Sequence, residues 1–353
     1  MQKALLLSSL ALVIGCSSSD QAPTNAGNAG SGGVLNQAGS AGQTEGGGSA
    51  GAFTFTWTEG KPCPVARFEA SGAVVQDELW VMGGFLSSAL DVTPRVDIYD
   101  PSTDSWRSGP ALRGAETHPG VVSVGNDIVL AGGFAGNVIS RITTAGVWRW
   151  NGADAAWVAG PDLPTPRAAV FAALVGTQLH VAGGLAIDGD TDSGEHLVWD
   201  LAGAPVWVDA EPLKNPRNHG GGAASGGRFF AFSGRHGWDE VTGDDPALDA
   251  FDPATDSWTP RAPMPVPRSE IGAATVAMSD GRVLVVGGSI PGKQPSGDVL
   301  IYDPRLDQWS TLPSLPVPLK GVVAARIGAK VVVTTGSPTS TDPTATTYIG
   351  CCL

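Results

Sequence analysis

Short apolar runs that end in glycine punctuate the chain: LWVMGG (79–84), IVLAGG (128–133), LHVAGG (179–184), FFAFSG (229–234), VLVVGG (283–288) and VVVTTG (331–336). Each is too short for a helix and is bounded by turn-forming residues, so each predicts a buried strand. A segment of small residues precedes the run, as in SGAVV (71–75), GGGAA (220–224) and GAATV (272–276). This predicts an inner strand crowded by its neighbours, where bulky side chains would collide. A third strand carries Tyr99, Trp150, Trp199, Phe251, Tyr302 or Tyr348. In the clearest copies it runs into an octet, YDPSTDSW (99–106), FDPATDSW (251–258) or YDPRLDQW (302–309), whose Asp-Pro makes the turn into a fourth strand. That strand holds a periodic tryptophan: Trp57, Trp106, Trp157, Trp207, Trp258 and Trp309 are separated by 49, 51, 50, 51 and 51 residues. No stretch shows helical periodicity.

Six copies of a unit of about 50 residues, with a glycine doublet and a later tryptophan, resemble the kelch repeat, in which each unit is one four-stranded blade of a β-propeller. The resemblance implies an all-β, six-bladed kelch-type β-propeller over residues 53–353, with the octet and the periodic tryptophans in its core. Trp57 has no inner strands before it, and the last copy reaches Tyr348 without a tryptophan after it. The ring is therefore expected to close with Phe53–Thr58 as the outer strand of the sixth blade, against Thr346–Ile349. The resemblance says little about function, because kelch propellers serve both as binding platforms and as enzymes.

The first residues change the picture of where the propeller works. MQKALLLSSLALVIGC has one early lysine and an apolar run too short to span a bilayer, so residues 1–15 read as a signal peptide. Val13-Ile14-Gly15-Cys16 resembles the bacterial lipobox, which implies a diacylated Cys16 as the first residue of a lipoprotein. Ser17 after the cysteine favours the outer membrane, on its periplasmic or surface side. Residues 16–52 are Gly-, Ser- and Ala-rich, cannot bury enough apolar surface to order themselves, and read as a tether with a reach of roughly 30 Å. The membrane is then touched only through the lipid. With 21 Lys and Arg against 34 Asp and Glu, a net charge of −13 argues against nucleic acid as a partner.

The four cysteines test the register. Cys63 stands where the other copies have Leu112, Leu163, Leu213, Met264 and Leu315, so it replaces a buried apolar residue. The clasp puts it about a strand length (roughly 17 Å) from Cys351 and Cys352, beyond the reach of a disulfide. A staple between the termini, a Cys351–Cys352 bridge and free thiols all stay open.

Candidate chemistry lies where the copies differ. Leading into the inner strand come Arg67, Glu116, Arg167, Arg217, Arg268 and Lys320; two residues on come Glu69, His118, Ala169, His219, Glu270 and Val322. The arginines either bond turn carbonyls and neighbouring carboxylates, as the kelch Pro-x-Arg signature implies, or form a cationic mouth able to grip a carboxylate. The longest insertion, RHGWDEVTGDDPALD (235–249), sets Trp238 beside Arg235 and His236: a hot spot or sugar-stacking platform, or a loop folded on its own tryptophan. Asp188, Asp190 and Asp192 have the spacing of a calcium loop but lack its glycine and its terminal glutamate. The five histidines show no short metal-ligand spacing and the three tyrosines are structural, so no metal or other cofactor is expected. The chain reads as a monomeric, envelope-tethered binding module for a protein or glycan. The alternative is a carbohydrate-active enzyme similar to envelope kelch sialic-acid mutarotases, in which an arginine fixes the sugar carboxylate and Glu69, Glu116 or Glu270 moves the proton.

Overall fold

The structure, a computed structural model, describes residues 55–114, 116–136, 141–237 and 243–351. It is a kelch-type β-propeller of six four-stranded antiparallel blades. Blade 1 runs Ser71–Val75, Glu78–Met82, Val96–Asp100 and Ser105–Ser108 from the inner strand to the outer, and blades 2 to 5 repeat the order. Blade 6 takes Val323–Ile327, Lys330–Thr334 and Thr347–Cys351 from the end of the chain and Thr56–Gly60 from its beginning. Trp57 lies opposite Gly350 and Thr56 opposite Cys351, which is the expected clasp moved along the strands by about two residues.

The small-residue strands line the axis because nothing larger fits. A Cβ at Gly222 would meet backbone atoms of Ala172, in the inner strand of the preceding blade, at 2.4 Å. Each inner strand neighbours the next, and that of blade 6 neighbours that of blade 1. Among the three segments singled out, GAATV departs from the expectation. Gly272–Ala274 forms one turn of 3-10 helix, fastened by Ala274 N–H and Thr275 Oγ1 on the Ile271 carbonyl, before a short strand Thr275–Ala277.

Every aspartate and tyrosine of the repeated octet has a bonding reason. Asp100, Asp252 and Asp303 accept the N–H of the residue two positions on and fix the turn. Asp104 and Asp307 each accept from the tyrosine hydroxyl that opens their octet, at 2.7 and 2.6 Å. The same carboxylates, with Asp256, accept a backbone N–H from the preceding blade, at Lys61, Ala262 and Glu211.

The tryptophans complete that link. The indole N–H of Trp57 donates to Pro313 O, Trp106 to Lys61 O, Trp157 to Pro110 O, Trp207 to Pro161 O, Trp258 to Glu211 O and Trp309 to Ala262 O, at 2.8 to 3.5 Å. Every acceptor lies just after the outer strand of the preceding blade, so six equivalent bonds run round the ring. Trp207 sits one residue ahead of its outer strand, Val208–Ala210, and still makes its bond.

Cys63 is a buried free thiol in the column of Leu163, Leu213, Met264 and Leu315, all buried, and burial pushes its pKa up. Cys351 lies in the clasp strand opposite Thr56, and Cys352 falls outside the described residues.

A second polar pair is sealed into blade 3 and against blade 4. His196 Nδ1 bonds Glu211 O at 3.2 Å and its Nε2 meets His180 Nδ1 at 3.0 Å, both rings packed on Phe229 and Phe251. Burial holds the pair neutral, lowering His180 to about 4 and His196 to about 3.

Replacing Trp258 with Ala should cost about 3–5 kcal/mol, as core aromatic deletions do, read from a urea unfolding curve. A chain beginning at residue 61 should melt well below one beginning at residue 53, because it bares the edge of Thr347–Cys351; equal melting would refute the clasp. Unfolded histidine titrates near 6.5, so the neutral His180–His196 pair stabilises fully above that pH. Its contribution is lost as pH falls toward about 4 and about 3. Stability measured between pH 7 and pH 4 should fall less steeply when both are replaced by Gln.

Candidate functional site

The arginine column is spent on the blades. Arg217 is fully buried: its Nε donates to Ser233 O, Nη2 to Ala231 O and Ala247 O, and Nη1 to Asn215 O, with Asp249 at 2.9 Å. Arg268 donates to Gly287 O and Asp298 O and pairs with the Asp298 carboxylate at 2.9 Å. Arg67 pairs with the buried Asp97, and Arg167, also buried, bonds Thr165 and Glu195. Burial lowers Arg167 to about 10 and pushes Arg217 and Arg268 down as well. Arg67, Arg217 and Arg268 tie the end of the apolar strand to the third strand, Arg167 bonds Thr165 and Glu195 instead, and none of the four lines the channel. The expected cationic mouth is therefore corrected: the arginines are the carbonyl-bonding ones.

The sixth member of each column also shifts. Gly288 N–H bonds Leu319 O as Gly184 N–H bonds Arg217 O, so Leu319, not Lys320, holds the arginine position in the last repeat. Leu319 stands ten residues after Trp309, as Arg217 stands ten after Trp207, and Gly321 replaces Val322 in the second column. Glu116 holds that position in blade 2, where burial alone pushes its carboxyl up to about 7.

The second column is where the structure brings side chains together. Glu69, His118, Ala169, His219 and Glu270 all have φ between 52 and 56°, and Gly321 has 58°. Left-handed backbone is strained for residues with a Cβ, and non-glycine residues held there cluster at functional sites. Successive members are linked, with Glu69 N–H on Gly321 O, Ala169 N–H on His118 O and His219 N–H on Ala169 O. The chain bends there, at the head of each inner strand, and turns the side chains onto the axis. An L-residue is tolerated because the neighbouring blade holds the bend.

The result is a polar girdle across the channel. His118 Nε2 lies 3.1 Å from Glu69 Oε2 and 3.6 Å from Glu270 Oε2, Arg235 Nη1 donates to Glu270 Oε1 at 2.6 Å, and the His118 and His219 rings meet edge to face at 4.8 Å. Burial would depress His118, but its bonds to Glu270 and Glu69 outweigh that and raise it to about 9. Burial and the Glu270 charge push Glu69 up. Burial also acts to raise Glu270, but His219, Arg235 and His118 hold it well below the carboxylate range. Burial and Arg235 keep His219 neutral.

Below the girdle a cavity of about 150 Å³ follows the inner strands. Above it a funnel of about 230 Å³ opens among the loops after the glycine doublets. Phe68, Phe85 and Phe134 line the funnel with four cations, Arg141, Arg235, Lys293 and Lys320, against the two carboxylates Glu69 and Glu270. Phe85, Phe134 and Arg235 occupy one repeat position, the first after the doublet, and Phe68 and Lys320 another. The doublet's second glycine makes this approach possible: at Gly184, with φ +86°, a Cβ would meet Ala168 O at 2.5 Å.

Arg235 thus joins the girdle, whereas His236 turns to the rim, bridging Asp192 at 3.1 Å and Asp245 at 3.0 Å. Burial lowers its pKa, but these two carboxylates outweigh that and raise it. Trp238 lies outside the described residues. The three aspartates of the calcium-like spacing bond separately. Asp188 accepts from the N–H groups of Asp190 and Thr191, Asp190 faces Arg141 at 3.9 Å, and Asp192 accepts from Asn218, Gly237 N–H and His236.

The girdle was missed as a cluster because its members are one or two repeat lengths apart and show no local spacing. The signal that finds them is the column itself, read around the ring instead of along the chain.

The fold and its repeated arginine, doublet and tryptophan define a kelch-type propeller. The Kelch motif matches residues 66–113 and 272–316. The chain is 29% identical over 249 residues to Kelch-like protein terF of Aspergillus terreus, covering 67% of this chain and 53% of that one. It is 28% identical over 282 residues to human Kelch-like protein 34, covering 74% and 41%. With alpha-scruin of Limulus polyphemus it shares 27% over 284 residues, covering 76% and 30%. The chain carries Kelch motifs and spans about half the length, or less, of these relatives. Kelch repeats generally form protein-binding modules.

Arg217→Ala should leave Asp249 and several carbonyls buried without their donor, at a cost of about 3–5 kcal/mol. The urea midpoint should drop, and Arg217→Lys should recover only part of it, because an ammonium cannot reproduce the fork.

Proposed function

We propose that the protein is a binding module, held at a bacterial cell envelope by lipid on Cys16, that grips an acidic side chain of a protein partner in the funnel. The observation that carries this is the funnel's composition. Three phenylalanines and three cations, Arg141, Lys293 and Lys320, converge in a cavity of an otherwise acidic chain, above a floor whose carboxylates are already paired with Arg235 and His118. A desolvated cationic pocket with aromatic walls attracts a carboxylate, and the acidic surround disfavours ligands of diffuse negative charge. An acidic glycan presents the same carboxylate, so a glycan array belongs beside an envelope pull-down with the full chain.

A second reading, a carbohydrate-active enzyme, draws on the opposed pKa shifts of Glu69 and Glu270, since neighbouring carboxyls pushed apart are suited to acid and base roles. Sugar anomer exchange catalysed by the chain and stopped by Glu69→Gln would favour it over the first.

For a captured partner, Arg141→Ala and Lys293→Ala should each weaken binding by more than about 1 kcal/mol, with affinity falling as salt rises. Affinity indifferent to both substitutions and to salt would place the site elsewhere. Metabolic labelling with palmitate should mark the wild type and not Cys16→Ser.

A further inference from the structure

We propose that the girdle is a binding site for a divalent transition-metal ion of the zinc class, with His118, His219, Glu270 and Glu69 as its ligands. One donor atom from each of His118, His219 and Glu270 lies within 4.8 Å of the others. His118 Nε2 stands 3.1 Å from Glu69 Oε2 and 3.6 Å from Glu270 Oε2. Four donors at about 2.0–2.1 Å around a tetrahedral ion are about 3.3 Å apart; the two distances from His118 Nε2 bracket that value, and His219 comes within 4.8 Å of the His118 and Glu270 donors. Two imidazoles and two carboxylates are the donor set that borderline dications take, and they leave a 2+ ion neutral overall.

The surroundings orient the ligands as metal sites require. Arg235 holds Glu270 by Oε1, which leaves Oε2 toward His118. Asn218 donates its Nδ2 to Asp192 and to Gly237 O, so its Oδ1 faces His219 Nδ1 as an acceptor. That bond puts the proton on Nδ1 and makes Nε2 the basic nitrogen of His219. Non-glycine backbone at φ 52 to 56° at all four ligands keeps the side chains on the axis. The funnel above supplies the path from solvent.

The test uses the full chain after treatment with a chelator, titrated with Zn²⁺ by calorimetry and with Co²⁺ by visible absorption. One saturable equivalent is expected, with the d–d bands of tetrahedral Co²⁺ and a melting temperature that rises with Zn²⁺ concentration. His118→Gln and His219→Gln should each abolish these effects, and Asn218→Ala should weaken binding about 10- to 100-fold. The absence of a saturable equivalent in the wild type would overturn the proposal. So would Co²⁺ binding with a thiolate charge-transfer band, which would assign the ion to cysteine and can be read without any variant. Uptake unchanged in both histidine variants would also overturn it.

Discussion

Everything in this molecule hangs on one hydrogen bond made six times: a tryptophan indole N–H donating to a backbone carbonyl just past the outer strand of the preceding blade. A single four-stranded blade has two apolar faces and cannot bury them alone. The indole supplies a large apolar face to the joint and places its one polar atom where the neighbour has a carbonyl to satisfy. The octet's aspartate adds a second link across the same joint, at Lys61, Glu211 and Ala262. Because the last donor, Trp57, comes from the start of the chain, neither end of the propeller is complete without the other.

The same demand for regularity explains the arginines. A glycine doublet, or Ser233-Gly234 and Thr335-Gly336 in its place, ends each apolar strand, and its carbonyls would be left buried without donors. Arg67, Arg217 and Arg268 supply them from the turn leading into the inner strand. Glu116, Leu319 and Arg167, which bonds Thr165 and Glu195, are the exceptions.

The bend that carries the chain onto the axis imposes left-handed backbone at six equivalent places, and glycine would satisfy it most cheaply. It does so only at Gly321. At Glu69, His118, His219 and Glu270 the fold instead carries ionisable side chains at a strained position, where His118 faces both carboxylates and Arg235 holds Glu270.

The repeat period, the blade order, the clasp, the burial of Cys63 and the packing of the tryptophans between blades were legible in the sequence, because each is written locally or recurs about every 50 residues; the expected burial holds fully only for Trp157 and Trp258, since Trp57, Trp106, Trp207 and Trp309 are half-buried and the octet turns are exposed. Glu69, His118, His219 and Glu270 were also visible as one column. What they do to one another was not, since residues one or two repeats apart become neighbours only when six blades converge on an axis. The burial of the arginines, the shift from Lys320 to Leu319, the one-turn helix at Gly272–Ala274 and the recruitment of Arg235 to Glu270 likewise depend on backbone positions set by adjacent blades. The sequence by itself determined the repeating unit, through strand periodicity and turn chemistry acting within a few residues. Only the tertiary structure decided which charges meet, because that depends on closing the ring.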